Sequence, residues 1–549
     1  MVPRFAGSSR RQVGARRQLD PACLSCCIAH VSLIREADFI QSIADALQFI
    51  SYYHPVDYIA RLGRAYELEQ SPAAKDAIAQ ILHNSRMCAE GHRPICQDTG
   101  IVNAFLKVGM EVRWESKRPP AELVDEGVRR AYTHPDNPLR PSIVDDPLFA
   151  RRNTGDNTPA VTHVEMVSGD GVDVILAAKG GGSENKSTFT VLNPSDSLVD
   201  WVLETVPTLG AGWCPPGILG IGVGGTAEKA MLLAKQSLLE PVDIQELLSR
   251  GASTKLEELR LELYEKINAL GIGAQGLGGL TTVVDVKIRT YPTHAASKPV
   301  AMIPNCAATR YVHFRLDGSG PASFEPPSLA SWPKVEVLAG QHSRPVDLQH
   351  LTRSDVKSWR AGETLLLTGS ILTGRDTAHR KIVDMLTSGQ ALPGGLDFTD
   401  RVIYYVGPVD AVRGEVVGPA GPTTASRMDK FTATMLAKTG LLAMIGKGER
   451  GPGTIEEIRS HGAAYLIAVG GAAYLISKAI RRARVVAFPE IRDAIRRGSP
   501  RDRINPLRLD AALDIKRELA PQKEILCFDR PARSECESAP AERLGDQLK

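Results

Sequence analysis

The spacing of apolar residues predicts helices in the first part of the chain. Over residues 34–88, apolar side chains such as Phe39 and Ile43 recur at helical intervals, which is the pattern of amphipathic helices. Within this stretch Ser71 precedes Pro72. Serine is a favoured cap and proline is favoured at the first helical position, so one helix is predicted to begin at Pro72.

Later segments have the patterns of strands. Residues 172–178 form a short apolar run that ends in three glycines, and residues 283–290 alternate with a period of two, as half-buried strands do. Further strands are predicted at residues 363–368, 401–406 and 465–469, and a glycine pair turns the last of them into a helix. Strands alternating with helices predict a mixed α/β (α+β) fold.

The chain is predicted to have two domains. Between Asp317 and Asp347 it is rich in proline, serine and glycine, as is usual at a domain boundary. We therefore predict a disordered extension (1–33), a large N-terminal domain (34–325), a linker (326–346), a smaller C-terminal domain (347–489) and an atypical charged tail (490–549).

Composition excludes several classes of protein. The formal net charge is +3 over 549 residues, which argues against nucleic acid as the main partner. No apolar run is long enough for a membrane helix. The nine cysteines are an odd number without a disulfide framework, which favours a reducing compartment such as the cytoplasm. The arginine-rich start resembles a mitochondrial transit peptide and leaves the mitochondrion as the alternative.

Two glycine-rich stretches, residues 220–225 and 271–276, fit the spacing of a dinucleotide-binding fingerprint. That fingerprint needs a strand before it and a helix after it. The first stretch follows a Cys-Pro-Pro-Gly turn, and the second is followed by a predicted strand, which is the wrong order. Close approach of the backbone to some other group explains these glycines better than a nicotinamide cofactor does.

Three cysteines lie in unusual local sequences: Cys96 in PICQDTG, Cys214 in GWCPPG and Cys306 in IPNCAATR. Each alone is ordinarily a small buried apolar residue. Their wide separation matches no local zinc pattern, so a joint site would have to be assembled by the fold. Three thiolates can hold three irons of a cubane cluster and leave the fourth iron open as a Lewis acid.

These motifs resemble those of the class I fumarases, the oxygen-sensitive iron–sulfur fumarate hydratases. The resemblance runs from about Ile34 to Phe488, and the segments that carry it are CQDTG (96–100), AKGGGSENKS (178–187), WCPPG (213–217), GIGAQGLGG (271–279), PTHAASKPVA (292–301), TGRDTAH (373–379), GPTTASRMD (421–429) and MIGKGERGP (444–452). It implies a cluster-binding N-terminal domain and a swivelling β/β/α-type C-terminal domain. It further implies a homodimer and reversible hydration of fumarate to L-malate, a reaction of the tricarboxylic acid cycle.

The resemblance also implies the site residues. It makes Cys96, Cys214 and Cys306 ligands of a 4Fe–4S cluster. Dicarboxylate substrates need cationic partners, and the guanidinium fork matches a carboxylate. The implied substrate-binding residues are Gln97, Arg140, Gly181, Gly182, Arg375, Arg427 and Lys447. The candidates for proton transfer are Asp98, as a tuned acid, His294 and Thr423. A threonine base would need neighbouring positive charge to lower its pKa.

Some alternatives remain open at this point. L-tartrate dehydratase, or a dehydratase of a related hydroxy acid, is the nearest rival. After Phe488 the sequence departs from the family pattern, and missing edge strands would leave backbone groups unpaired. A cluster-binding protein with impaired catalysis is therefore a further alternative, and a nucleotide-binding oxidoreductase is the remaining one.

Overall fold

The structure is a computed structural model. It describes residues 32–336, 343–393 and 396–488, and the backbone of two strands further on, Leu513–Arg517 and Glu524–Cys527. The predicted extension, residues 1–33, lies outside the described residues except at its end, where Leu33 pairs with Arg113.

The described part of the chain mixes helices and strands. Its helices are α1 (Glu36–Tyr52), α2 (Val56–Leu68), α3 (Pro72–Gly91), α4 (Pro120–Tyr132), α5 (Gly181–Glu184), α6 (Leu198–Thr208), α7 (Ala227–Ser237), α8 (Ile244–Arg250), α9 (Lys255–Ala269), α10 (Arg353–Ser358), α11 (Asp376–Thr387), α12 (Asp429–Thr439), α13 (Pro452–Ser460) and α14 (Ala473–Lys478). Its strands are β1 (Leu33–Ile34), β2 (Ile101–Gly109), β3 (Arg113–Trp114), β4 (Val161–Val167), β5 (Val172–Lys179), β6 (Thr188–Leu192), β7 (Gly217–Gly224), β8 (Val283–Tyr291), β9 (Lys298–Asn305), β10 (Tyr311–Leu316), β11 (Arg344–Asp347), β12 (Thr364–Thr373), β13 (Val402–Tyr404), β14 (Ala443–Gly446), β15 (Ala464–Ile467), β16 (Arg482–Val485), β17 (Leu513–Arg517) and β18 (Glu524–Cys527).

These elements confirm the mixed α/β fold and the predicted strands. Helix α3 begins at Pro72 as predicted, although the side chain of Ser71 makes no capping hydrogen bond. No helix in the described ranges is long and apolar enough to cross a membrane.

The first part of the chain contains two four-stranded sheets, in the orders β10-β5-β2-β4 and β6-β9-β7-β8. In the second sheet β7 is parallel to β8 and antiparallel to β9. This pairing brings the beginning of β7 to the end of β9, since Ile218 lies opposite Asn305. Two of the three cysteines flank these strand ends.

The glycine stretch at residues 220–225 lies mostly within a strand rather than in a turn. A Cβ atom on Gly220 would lie 2.4 Å from the carbonyl oxygen of Ala234, and one on Gly222 would lie 2.0 Å from that of Ala230. Both carbonyls belong to α7, so the missing side chains let this helix pack directly on β7. This confirms close backbone approach as the reason for these glycines.

The second part of the chain is built on strands that run in parallel. Strand β12 pairs in parallel with β11 and β13, and β13, β14 and β15 continue in parallel order. Their carboxyl ends therefore lie at one edge of the sheet, which is where α/β proteins usually place functional residues. The segments that follow β12, β13 and β14 lead to Arg375, Thr423 and Lys447, respectively.

The tail contributes strands to the same sheet. Strand β17 pairs antiparallel with β12 and β16, and β18 pairs antiparallel with β12 and β15. Both lie inside the strand order, β18 between β15 and β12 and β17 between β12 and β16, so these segments of the tail pair with the sheet on both sides.

The connection between the two parts is docked onto the first. Trp332, within the predicted linker, is 3% exposed and its indole N–H donates to Oγ of Ser85 on α3. Pro333 packs against Gly63 of α2. At the other end of the connection, β11 already pairs with β12, so the sheet of the second part of the chain begins at Arg344.

Candidate active site

The three cysteines singled out in the sequence lie in one buried cluster. Cys96, Cys214 and Cys306 pack with Cys88 and Tyr474. Cys96 follows α3, Cys214 precedes β7 and Cys306 follows β9. The amide of Ala307 donates to the carbonyl oxygen of Cys214 at 2.9 Å, which joins two of the cysteine segments through their backbones.

The backbone around Cys214 has a specific conformation. Cys214 has a positive φ of 61° and Gln275 has a positive φ of 56°. Residues other than glycine seldom adopt this backbone conformation. Gln275 donates to the carbonyl oxygen of Pro215 from its amide at 2.8 Å and from Nε2 at 2.7 Å. Its Oε1 accepts from the amide of Gly470 at 2.8 Å. Gln275 thus ties the Cys214 segment to the second domain.

Lys447 brings a positive charge from the second domain to the cysteines. It follows β14, and its Nζ donates to the sulfur of Cys214 at 2.9 Å. Two backbone hydrogen bonds join Lys447 to the Thr423–Ala425 segment. The amide of Ala425 donates to the carbonyl oxygen of Lys447 at 2.9 Å, and the amide of Lys447 donates to the carbonyl oxygen of Thr423 at 3.1 Å.

In the absence of a bound metal, burial favours the protonated form of two of the thiols. It raises the pKa of Cys96 to about 11, even though the nearby charges of Lys447 and Arg310 oppose the shift. It also raises the pKa of Cys214, again against Lys447. Binding to a metal removes the proton of a thiol, and neighbouring cations make that change easier.

The donor set suits an iron–sulfur cluster. Three buried sulfur atoms on three separate segments are soft ligands, which iron–sulfur clusters prefer. Among the described residues no group of His, Cys, Asp or Glu side chains forms a site for a single metal ion. In a cubane each thiolate binds a different iron, so the three sulfurs need not converge on one point. Cys96, Cys214 and Cys306 are the residues that would hold such a cluster.

Asp98 lies next to the first cysteine and faces the Gly180–Gly182 turn. Its Oδ2 accepts from the amide of Gly181 at 2.8 Å, and its Oδ1 accepts from that of Gly100 at 3.2 Å. Burial alone would raise its pKa, but Arg140, Arg310, Lys447 and the Gly181 amide together bring the pKa below the usual value. Asp98 is therefore ionised in the chain without metal, and its role as a tuned acid stays a prediction.

Gln97, Arg140 and the glycines adjoin the same space. Nε2 of Gln97 donates to the carbonyl oxygen of Pro422 in the second domain at 3.2 Å, and Nη1 of Arg140 lies 3.5 Å from the carbonyl oxygen of Gln97. A Cβ atom on Gly182 would lie 3.3 Å from Nζ of Lys447, and one on Gly181 would lie 3.7 Å from Oδ2 of Asp98. These glycines leave the carboxylate and the ammonium accessible from the turn.

Thr423 directly follows Pro422, on the segment that leads from β13 to α12. It is 5% exposed, and its hydroxyl has no hydrogen-bond partner among the described residues. Its amide donates to the carbonyl oxygen of Tyr405 at 2.8 Å. A buried hydroxyl without a partner is uncommon and calls for a functional explanation.

Arg375 and Arg427 lie on either side of Asp376 in the second domain. Arg375 precedes α11 and is 7% exposed. Arg427 is half exposed, and its Nη2 donates to Oδ2 of Asp376 at 2.6 Å. Arg375 follows β12 and Arg427 precedes α12, so both belong to the second domain.

His294 is not brought to this site within one chain. It lies in the exposed turn between β8 and β9, where its Nδ1 accepts from the amide of Ala296 at 3.2 Å. The neighbouring Thr293 donates to the carbonyl oxygen of Gly225, just past the end of β7. Cys214 precedes the beginning of β7, so the strand separates the two residues. The proton-transfer role of His294 stays a prediction that the geometry of a single chain does not support.

Two buried residues near the cysteines were not singled out from the sequence. Arg310 is four residues after Cys306, and its Nη1 donates to the carbonyl oxygen of Asp98 at 2.7 Å. His54 on the α1–α2 connection hydrogen-bonds to the carbonyl oxygen of Ala307 at 3.0 Å through Nε2. Arg310 stands at the end of the IPNCAATR segment, so its proximity to a cysteine motif was the available signal. His54 had none.

Two family models match the chain. The one described as fumarate hydratase (Fumerase) matches residues 40–315, and the one described as fumarase C-terminus matches residues 318–496. The boundary between them precedes the predicted linker, and the second match extends past Phe488.

Several proteins are similar to this chain over most of their own length. The chain is 32% identical over 449 residues to "Fumarate hydratase class I, anaerobic" of Escherichia coli (strain K12), which covers 78% of this chain and 79% of that protein. It is 30% identical over 468 residues to "Fumarate hydratase 2" of Leishmania major, covering 81% and 80%. It is 37% identical over 275 residues to "Putative L(+)-tartrate dehydratase subunit alpha" of Methanocaldococcus jannaschii, covering 49% of this chain and 94% of that subunit.

Proposed function

Because the chain belongs to the class I fumarate hydratase family, we propose that it is an iron–sulfur hydro-lyase that reversibly adds water to fumarate to give L-malate. Its resident cofactor would be a 4Fe–4S cluster held by Cys96, Cys214 and Cys306. The reaction belongs to the tricarboxylic acid cycle, and the reducing compartment inferred from the cysteines is the cytoplasm.

One observation carries this proposal. Three buried cysteines form a cluster into which the second domain directs Lys447, while Asp98 and the Gly180–Gly182 turn adjoin it from the first domain. The site therefore combines soft metal ligands with a carboxylate and several cations, as a dicarboxylate hydratase requires.

The cations of the chain would bind the two substrate carboxylates. Arg140 and Lys447 both lower the pKa of the Asp98 carboxyl by their positive charge. Arg375 and Arg427 would hold the outer carboxylate from the second domain. Fixing both ends of a rigid dianion orients its double bond and lowers the entropic part of the barrier.

Proton transfer would be divided between the two domains. Hydration adds a hydroxyl group to one alkene carbon and a proton to the other. When bound, the cluster supplies a Lewis acid for the hydroxyl group. Thr423 offers a buried hydroxyl without another partner, and we assign it to the carbon-bound proton. Positive charge close to its oxygen would favour its deprotonated form in the reverse direction. Asp98, which is ionised, would accept the proton released from water.

We also propose a homodimer. Apolar side chains are exposed on two strands that lie at sheet edges, β4 and β6. They include Val164 and Met166 at 51% and 57% exposure and Val191 at 57%. Exposed apolar edges of this kind favour pairing with another chain, and a second copy satisfies both edges by symmetry.

The test is anaerobic reconstitution with iron and sulfide, followed by assays with fumarate, L-malate and L-tartrate. We expect a brown protein that interconverts fumarate and L-malate. Cys96→Ser, Cys214→Ser and Cys306→Ser should each remove most of the iron. Cys88→Ser is the matched control because Cys88 lies in the same buried cluster but donates to the carbonyl oxygen of Pro94. A wild-type protein that binds no cluster, or a Cys88→Ser protein that loses its iron, would contradict the proposal.

Tartrate dehydration is the second candidate. Its support is the 37% identity to the tartrate dehydratase alpha subunit, which covers 94% of that subunit. The relatives named above from Escherichia coli and Leishmania major, which match a longer part of this chain, are fumarate hydratases. Turnover of L-tartrate that exceeds turnover of L-malate in the same assay would favour the tartrate activity.

A further inference from the structure

Arg310 connects the segments of the first and third cysteines. It directly precedes β10, and the amide of Ala178 donates to its carbonyl oxygen at 3.1 Å. Its side chain extends to the CQDTG segment, where Nη1 donates to the carbonyl oxygen of Asp98 at 2.7 Å. One side chain thus holds the loop that carries both Cys96 and Asp98.

The charge of Arg310 is buried without a direct ionic partner. The residue is 3% exposed, and among the described residues no carboxylate oxygen lies within salt-bridge distance of its guanidinium. Its Nε has no hydrogen-bond partner there either. A buried cation is costly unless negative charge compensates it. The hydrogen bond to the carbonyl oxygen of Asp98 places this charge beside the loop that carries the Cys96 thiol and the Asp98 carboxyl.

The arginine is also open toward the glycine turn. A Cβ atom on Gly180 would lie 3.4 Å from Oδ2 of Asp98 and 3.7 Å from Nη2 of Arg310. No side chain at this position separates the Arg310 guanidinium from the Asp98 carboxylate.

We propose that Arg310 is a positioning residue that holds the Cys96–Asp98 loop and compensates the negative charge of the metal-bound thiolates. This inference rests on the proposed function, because it assigns Arg310 a role toward the cluster. It predicts that Arg310 controls how firmly the cluster is held and how readily it is reduced, since a nearby cation stabilises the more negative, reduced form.

The experiment compares Arg310→Gln and Arg310→Lys with Arg61→Gln in reconstituted full-length protein. Arg61 is a matched control because it is 8% exposed, also has an Nε without a partner, and contacts Tyr264 on α9 rather than the cysteine segments. The readouts are the rate of iron release to an anaerobic chelator, the reduction potential of the cluster, and the melting temperature of the iron-free protein.

We expect Arg310→Gln to release iron about tenfold faster or more, as is common when a residue behind a metal ligand is lost, and to lower the reduction potential. Arg310→Lys should keep the potential close to that of the wild type but release iron faster, because its ammonium cannot reproduce the guanidinium geometry. Arg61→Gln should match the wild type in both. If Arg310→Gln does not fold, the inference is tested by the rate of iron release from Arg310→Lys, which should exceed that of the wild type.

Iron release and potential unchanged in the folded Arg310 variants would overturn this inference. Such a result in a wild-type protein that holds its cluster and hydrates fumarate would leave the proposed function intact. A wild-type protein that never acquires a cluster would instead contradict the proposed function itself.

Discussion

Nζ of Lys447, at the end of a strand in the second domain, lies 2.9 Å from the sulfur of Cys214 in the first domain. The contact means that the candidate site is completed only when the two domains are together. It also places a cation next to a residue that the family resemblance makes a metal ligand. The charge of Lys447 can thus act on the cysteine segment and on a bound dianion.

Lys447→Met is expected to lower kcat/KM for fumarate about 10- to 100-fold, because a hydrogen bond to a charged group contributes about 1.5–3 kcal/mol. Steady-state kinetics, normalised to iron content, measure the effect apart from any loss of cluster. Lys430→Met is the control, since Lys430 is an exposed lysine that lies over the ring of Phe431. Equal kinetics for the two variants would contradict a substrate role for Lys447.

Gly470→Ala is expected to displace Cys214. The added Cβ would lie 2.4 Å from the cysteine sulfur and 3.0 Å from Oε1 of Gln275, so one of these segments must move. We expect the reconstituted variant to hold clearly less iron than the wild type. Gly453→Ala is the matched control, because nothing lies within 4 Å of its added Cβ and alanine is favoured by about 0.5–1 kcal/mol in a helix. Full iron content in Gly470→Ala would show that Cys214 tolerates the shift.

The fold could be predicted from the sequence where local patterns determine it. The alternation in residues 283–290 predicts β8, and the Ser71–Pro72 pair predicts the beginning of α3, because both patterns depend on neighbouring residues. The glycines of β7 could not be assigned to a strand, since their role depends on contact with α7. The tail strands β17 and β18 were not predicted either, because their pairing partners lie far away in the sequence.

The candidate site was predictable only in part. Local sequence singled out Cys96, Cys214 and Cys306, while the roles of the arginines and Lys447 came from the resemblance. Arg310 was missed because a buried arginine has the same local pattern as an exposed one, and only the fold determines its burial. His294 illustrates the opposite case, since a specific motif surrounds it and yet the fold of one chain places it across a strand from Cys214.

A buried ion pair between Arg93 and Glu415 joins the two domains. Nη2 of Arg93 lies 2.9 Å from one carboxylate oxygen and Nε lies 3.0 Å from the other, with side-chain exposures of 1% and 9%. Removing one partner of such a pair leaves a buried charge uncompensated, which costs about 3–5 kcal/mol. Glu415→Gln and Arg93→Met are each expected to lower the free energy of unfolding by about this amount in urea titrations.

The double variant Arg93→Met/Glu415→Gln should lose less than the sum of the single losses, because no unpaired charge remains. The exposed pair Arg64–Glu67, with side-chain exposures of 53% and 62%, is the comparison. Breaking it should change the free energy of unfolding by less than about 1 kcal/mol. Strictly additive losses at Arg93 and Glu415 would contradict the coupling across the domain interface.

His54 lies at the centre of a buried hydrogen-bond chain that begins at the linker. The indole N–H of Trp332 donates to Oγ of Ser85, Ser85 hydrogen-bonds to Nδ1 of His54 at 2.7 Å, and Nε2 of His54 hydrogen-bonds to the carbonyl oxygen of Ala307. Ala307 directly follows Cys306. Burial lowers the pKa of His54 from 6.5 to about 3, with a smaller contribution from Arg310.

This shift makes stability depend on pH with a definite sign. The unfolded chain binds a proton at His54 below about pH 6.5, whereas the folded chain resists protonation down to a pH of about 3. The contribution of His54 is therefore complete above its unfolded pKa and declines as the pH falls through this range, by about 1.4 kcal/mol per pH unit. His54→Gln should make the free energy of unfolding decline less steeply with falling pH between 6 and 4. Ser85→Ala keeps the imidazole and should keep the wild-type slope, although it removes a hydrogen bond. An unchanged slope in His54→Gln would mean that other groups cause the acid sensitivity of this chain.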